Sequence, residues 1–294
     1  MPELPDITVY VERLTAFIGG EQLEALDIHN PFVVRSVEPA INTIVGRRVT
    51  RVAHMGKRIV IGFEPDLFLV IHLMIAGRLK WRVPPKRIAG RNVLATFTFA
   101  RGVLYFTEAG TTRRASLHLV RGSKALAGFD RGGLDVMTIT PAAFETRLRS
   151  ENHTLKRALT DPRLFAGIGN AYSDEILHHA RLSPLALTSR LTPDEVVRLL
   201  NAIQTVLAEW TVRLREQVGS GFPETVTAFP EGMAVHGRFK LPCPDCGTPV
   251  QRIRYATNET NYCARCQTGG RLLADRAMSR LLKTDWPRSI DEAD

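Results

Sequence analysis

LKRALTDPRLFAGIGNAYSDEIL, residues 155–177, reads as two helical segments separated by a turn built on Gly167, Ile168 and Gly169. Asn170 stands where the second segment begins, a residue type whose side chain caps open N–H groups. Glycines at such a turn let the backbone approach a partner closely, and N–H groups exposed at a helix start suit a phosphate. Two helices joined in this way are a DNA-docking device. A helix corner also needs glycine for purely steric reasons, so the turn takes its meaning from its surroundings.

Upstream, residues 5–18 place Ile7, Tyr10, Val11, Leu14, Phe17 and Ile18 on one helical face, with Pro5 and Asp6 as start signals. From about 48 to 120 the pattern changes to strands: RIVIGF, LFLVIHLM, NVLATFTFA and GVLYFTEA, separated by the turns EPD and ARG. This predicts a β-sandwich at the N-terminal end of an α+β chain. Helical signals return at Thr140-Pro141. The clearest helix opens at Thr192-Pro193-Asp194-Glu195 as a capping box and carries Val196, Leu199, Leu200, Ile203, Leu207, Trp210 and Leu214 on one face. Residues 219–230, bearing glycine and proline, predict a mobile loop.

The chain has 294 residues, 44% hydrophobic and 23% charged, which describes a globular protein of two or more domains. Its formal charge is +9 and its pI about 9.8, favouring an anionic partner such as nucleic acid. Only seven of the 39 basic residues are lysine. Arginine suits bidentate phosphate contacts, though a GC-rich genome produces the same bias. No apolar run of about 18 residues and no signal-like N-terminus is present, so no membrane partner is expected and the cytoplasm is the expected compartment.

All four cysteines fall in CPDC and CARC: Cys243, Cys246, Cys263 and Cys266, spaced C-x2-C-x16-C-x2-C. Paired knuckles of this kind offer four thiolates in tetrahedral geometry, which predicts one structural Zn2+ with no open position for hydrolytic chemistry. Two disulfides or a redox pair are disfavoured in the cytoplasm. TPVQRIRYAT between the knuckles reads as a strand, with NYC returning as the other arm of a β-hairpin.

The first residues, MPELPDITVY, set a proline behind the initiator methionine and a glutamate next to it. Removal of Met1 leaves Pro2 with a secondary amine, a nucleophile, just before a helix N-terminus whose dipole disfavours a cation.

In this order PELPD, GKR with Lys57, IHLMIAGRL at 71–79, GIGNAYSDEIL at 167–177, AVHGRFKLPC and the four-cysteine finger resemble the formamidopyrimidine-DNA glycosylase/endonuclease VIII family of DNA-repair enzymes. The resemblance implies a β-sandwich domain with flanking helices over 1–135, a helix-two-turn-helix domain over 140–235, a zinc finger over 236–282 and a tail over 283–294. It implies a monomer that holds damaged or abasic DNA with the damaged base flipped out and associates with the nucleoid when bound. By the same resemblance Pro2 attacks C1′ of the deoxyribose, Glu3 handles protons during ring opening and Lys57 is the essential lysine. His72, Lys156 and Asn170 match phosphate-contacting positions. The chain departs from the pattern in three places. Asn258 replaces an arginine at the finger tip, so only Arg252 and Arg254 on the same arm carry charge. Arg113-Arg114-Ala115 replaces an Arg-Arg-Phe wedge, and Ile75 replaces a methionine that fills the vacated stack. With Pro2, Glu3 and Lys57 all present, the resemblance implies a bifunctional glycosylase/AP lyase that acts on oxidised bases or abasic sites, and Asn258 and Ala115 suggest a preference for single-stranded or otherwise unusual DNA. The alternative is a non-catalytic damage- or junction-DNA binder of the same fold.

Overall fold

The computed structural model describes residues 1–292 except 85, 111, 225, 228, 257 and 275–287; positions 275–282 of the expected finger and 283–287, 293 and 294 of the tail lie outside the described residues. The chain divides into two units, Met1–Arg131 with Trp210–Ala228 and Gly132–Glu209 with Phe229–Asp294.

In the first unit α1 (Leu4–Ile18) starts at a proline-bearing turn closed by Asp6, whose Oδ2 accepts the Glu3 N–H at 2.8 Å. Its residues Ile7, Tyr10, Leu14 and Ile18, spaced by three and four, are fully buried. Eight strands follow: β1 (Leu23–Ile28), β2 (Val49–Met55), β3 (Arg58–Phe63), β4 (Leu67–His72), β5 (Gly77–Arg82), β6 (Val93–Phe99), β7 (Gly102–Glu108) and β8 (Ser116–Arg121). They form two antiparallel sheets, ordered β1-β6-β7-β5 and β2-β3-β4-β8.

Alternation decides which side chains meet. Ala95, Phe97 and Phe99 of β6 with Leu104 and Phe106 of β7 share one buried cluster with Ile59, Ile61 and Phe63 of β3 and with Leu117 and Leu119 of β8. The expected sandwich is therefore present. Each such apolar side chain contributes about 1.5–3 kcal/mol on burial, and a one-residue slip of register would expose the whole set. Sheet β2-β3-β4-β8 is covered on its other face too, where Val60, Phe68 and Val70 pack on Leu126 of α2 (Ser123–Ala127). Where a mobile loop is expected over 219–230, the described residues 219–224, 226 and 227 carry neither helix nor strand and are tied to the sandwich: Arg13 donates to Ser220 O and Gly221 O, Arg82 pairs with Glu224, and Phe222 and Val226 pack on its core.

The second unit holds α3 (Pro141–Arg149), α4 (Leu155–Thr160), α5 (Asn170–His179) and the first part of α6 (Pro193–Val218), then β9 (Gln251–Arg254), β10 (Glu259–Tyr262) and α7 (Ala264–Thr268). The capping box of α6 is reciprocal: Thr192 N–H donates to Glu195 Oε2 at 2.9 Å and Glu195 N–H to Thr192 Oγ1 at 3.3 Å. Its predicted face is buried from Val196 to Trp210, and Leu214 is half-buried. One boundary differs from expectation: Gly169, not Asn170, caps α5, and Asn170 is its first residue. Tertiary bonding takes the Asn170 amide away from the cap, since its Nδ2 donates to Glu259 O at 3.0 Å. Among the described residues no helix is long and apolar enough to cross a membrane.

Candidate active site and nucleic-acid interface

In the first unit the site is assembled at the start of α1. Pro2 and Glu3 are buried, Glu3 to 3% exposure. Burial lowers the pKa of the Met1 amine; Arg78 and Lys57 act in the same direction, while Glu3 and Asp6 oppose them. Removing Met1 would transfer the terminal amine to Pro2, one residue farther along this segment. Burial, followed by the Glu3 charge, pushes the Asp6 carboxyl up to about 7 against the Glu3 N–H bond, so a proton-holding group stands beside Glu3 at neutral pH.

Lys57 is placed by a two-residue hairpin joining Met55 of β2 to Arg58 of β3, where Gly56 supplies the positive φ of 56° that such a turn uses. Its charge acts on both the amine and His72, so the structure brings Pro2, Glu3, Lys57 and His72 into one electrostatic neighbourhood. His72 lies across from Arg58 in the sheet. Burial, then Arg58, Lys57, His118 and Arg131, push its imidazole down to about 4. Burial and the neighbouring basic groups act in the same direction. Close by, His118 has a buried Nδ1 without a partner among the described residues.

Arg78 organises the segment after β4. It donates to Val226 O at 2.6 Å, to Ile75 O at 3.1 Å and to Gly77 O at 2.7 Å. Met74 adopts φ 54°, an uncommon conformation for a side chain of its size, and the next residue, Ile75, stands 65% exposed. On the neighbouring loop Glu108, buried, accepts the N–H groups of Arg114 and Ala115.

In the second unit one short helix carries the polar connections. Asn170, Asp174 and His178 recur at intervals of four on α5, with Glu175 beside them. Asp174 Oδ1 accepts Lys156 Nζ at 2.5 Å, and its Oδ2 accepts His236 Nδ1–H at 2.7 Å and Asn261 N–H at 3.1 Å. Glu175 accepts the N–H groups of Ala234, Val235 and His236. His178 Nε2 lies 3.3 Å from Cys243 Sγ. Gly167, with φ 85°, makes the turn before the helix.

The four cysteine sulfurs fit a zinc ion. All lie within 4.8 Å of one another, with Cys243 and Cys266 4.0 Å apart and Cys246 and Cys263 3.4 Å apart. A tetrahedral site with Zn–S near 2.3 Å separates its sulfurs by about 3.8 Å. The predicted hairpin is present, with Arg254 paired to Glu259 and Gln251 to Tyr262.

Three family profiles match in chain order: the formamidopyrimidine-DNA glycosylase N-terminal domain over residues 1–115, its H2TH domain over 135–218, and a zinc finger found in FPG and IleRS over 240–269. The formamidopyrimidine-DNA glycosylase of Thermus thermophilus is 32% identical over 289 residues, spanning 92% of this chain and 100% of that protein. The chain belongs to the formamidopyrimidine-DNA glycosylase family. A formamidopyrimidine-DNA glycosylase-like protein of Mycobacterium tuberculosis, described as uncharacterized, is 40% identical over 151 residues, 51% of this chain and 94% of that one. The fold matches that of Lactococcus lactis Fpg in complex with DNA containing an abasic site, with a TM-score of 0.80, 23% identity and coverage of 90% of this chain and 99% of that one.

Against the pattern of this glycosylase family, the structure places the divergent residues as follows. Asn258 is exposed at the hairpin turn, where its carbonyl accepts Tyr255 N–H at 2.9 Å. Arg252 lies over the Phe239 ring at 4.1 Å and pairs with Glu259, so its guanidinium is held along the arm. Arg254 is exposed. Ala115 is 3% exposed within the sandwich core, so the position of the third wedge residue is an interior one here. Arg113 donates to Arg91 O at 2.6 Å. Lys156, expected on a phosphate, is 8% exposed with its ammonium engaged by Asp174 and by Asn170 O at 2.7 Å. Sequence reasoning passed over Arg78, Glu108, Asp174, Glu175, His178 and His236. A signal existed for three of them: Asp, Glu and His stand on a ten-residue helix that otherwise reads as core.

Proposed function

We propose that this member of the glycosylase family is a bifunctional DNA glycosylase/AP lyase that works through Pro2 once Met1 is removed. The observation that carries the reading is a buried N-terminal segment whose amine is held toward its neutral form by burial and by Arg78 and Lys57. The Pro2 lone pair forms a bond to C1′ as the glycosidic bond breaks and the base departs. The proton left on the Pro2 nitrogen passes by way of Glu3 to the ring oxygen, and the opening of the sugar ring leaves an iminium that withdraws electrons from C2′. Loss of the C2′ proton then expels the 3′ phosphate. Borohydride trapping on single- and double-stranded oligonucleotides carrying an abasic site, an oxidised purine or an oxidised pyrimidine tests this. An adduct mapped to Pro2 supports it; intact DNA binding with no adduct on any substrate leaves the non-catalytic binder. A core position for Ala115 and an uncharged Asn258 favour faster trapping on single strands than on duplex.

His72, in its cluster of cations, is proposed to meet a phosphate. Binding of a duplex with a tetrahydrofuran abasic analogue should then raise its pKa from about 4, because an anion favours the imidazolium. Imidazole NMR titration with and without the duplex checks it, and an unmoved resonance would put the phosphate elsewhere. Asn258→Arg should tighten duplex binding severalfold at low salt and steepen its salt dependence by about one phosphate contact. Identical salt slopes would mean that the hairpin tip does not reach the backbone.

The four thiolates are proposed to hold one structural Zn2+, which would tie the two knuckles together. With His178 Nε2–H donating to Cys243, His178→Phe should lower zinc affinity about 10- to 100-fold. Competition with a chromophoric chelator measures this directly, and an unchanged affinity would make the contact incidental.

A further inference from the structure

The first unit has a cavity of about 1020 Å³ on the outward face of sheet β1-β6-β7-β5, beneath the loop that follows β5. Small-molecule sites span roughly 300–1,000 Å³, so this one is large enough for a nucleotide. Its floor carries Asp27, His29 and Thr96: Thr96 Oγ1 donates to Asp27 Oδ2 at 3.3 Å and lies 3.4 Å from His29 Nε2. Thr96 alternates with Ala95 and Phe97, which face the core, and Asp27 and His29 alternate with Leu26 and Ile28, which pack against it, so the cavity opens away from the second sheet and from Lys57 and His72 on it. Lys86, Arg87 and Arg91 line it from the loop, and Arg113 is fastened to that loop through Arg91 O. Four cations and a single carboxylate call for an anionic ligand. Phe32, 78% exposed, lines the cavity as well and offers an aromatic face.

We propose that this cavity is a second nucleic-acid site, which takes a nucleotide with its base against Phe32, its base edge toward Asp27 and Thr96, and its phosphate on the loop cations. Aromatic faces beside a cationic wall are how single strands are held without reading sequence. A nucleotide reaches such a site either within a single strand or as a free monophosphate. The inference stands independently of the Pro2 chemistry.

The test uses the full chain saturated with unlabelled duplex bearing a tetrahydrofuran site. Fluorescein-labelled (dT)10 is then added and followed by anisotropy; dTMP is titrated separately by calorimetry. Binding of (dT)10 on top of the duplex is expected, weakened about tenfold by Phe32→Ala. Arg87→Ala should also flatten its salt dependence by about 0.7 in the log–log slope. Because both side chains are exposed, these variants should fold. Binding of dTMP without (dT)10, with the same sensitivity to Phe32→Ala, upholds the site and makes its ligand a free nucleotide. No binding of either, or binding indifferent to both substitutions, overturns the proposal. Failure of the duplex itself to bind would count against the glycosylase reading, and the dTMP arm would still report on the cavity.

Discussion

Replacing Pro2 by glycine, in protein from which Met1 has been removed, is expected to reduce borohydride trapping on abasic DNA by at least about 100-fold with little change in DNA affinity. Glycine keeps an amine at the same place, so the substitution removes the secondary amine and its rigid ring rather than the charge. A positioned proton-transfer or nucleophilic group contributes roughly 10²–10⁴-fold. The loss should appear in the covalent step, with the dissociation constant for a tetrahydrofuran duplex nearly constant. Trapping that survives undiminished would take Pro2 out of the mechanism and shift attention to Lys57, the other amine in that neighbourhood. Mass spectrometry of the starting material belongs to the experiment, because a retained Met1 would block the nitrogen in both proteins.

Asp174→Ala is expected to destabilise the second unit by about 3–5 kcal/mol, the usual consequence of removing one partner from a buried ion pair. Asp174 is 0% exposed, and three donors converge on its carboxylate: the Lys156 ammonium, the His236 ring and the Asn261 N–H. Alanine leaves the Lys156 cation without its counter-charge, bonded only to Asn170 O, and takes the shared acceptor from the His236 ring and the Asn261 N–H. The unfolding transition of this unit should fall by on the order of 10 °C. Lys156→Met in the Asp174→Ala background should recover part of the loss, since it removes the stranded charge. A shift of less than about 1 kcal/mol in Asp174→Ala would show that Lys156 turns outward, where a phosphate can meet it, and the phosphate role implied by its family position would regain its ground.

Much of the architecture was legible because it depends on near neighbours along the chain. Short runs of β-branched and aromatic residues between turn signals marked β3, β4, β6 and β7, and the Thr192–Glu195 capping box marked the start of α6. The four cysteines announced a metal-shaped cluster because chelation geometry needs that spacing. Charge pointed to an anionic partner through the sum over all residues, which requires no fold. The first residues marked Pro2 as a latent nucleophile, the family resemblance supplied the roles of Pro2 and Glu3, and the structure adds their burial.

What the linear order leaves open is which groups meet across long separations. Lys156 reads as an exposed cation until Asp174 and His236 close around it, and Asn170 reads as a cap until the hairpin supplies Glu259 O. Ala115 looks like a shortened wedge and proves to be core. The sequence by itself determined the strands β3, β4, β6 and β7, the helices α1 and α6, the cysteine cluster and, through the order of its motifs, the family, since propensity, capping and ligand spacing act within a few residues. Only the tertiary structure decided which charges are spent inside the protein and which stand ready for a ligand, because burial and hydrogen bonding are set by whatever packs opposite, often 60 to 90 residues away.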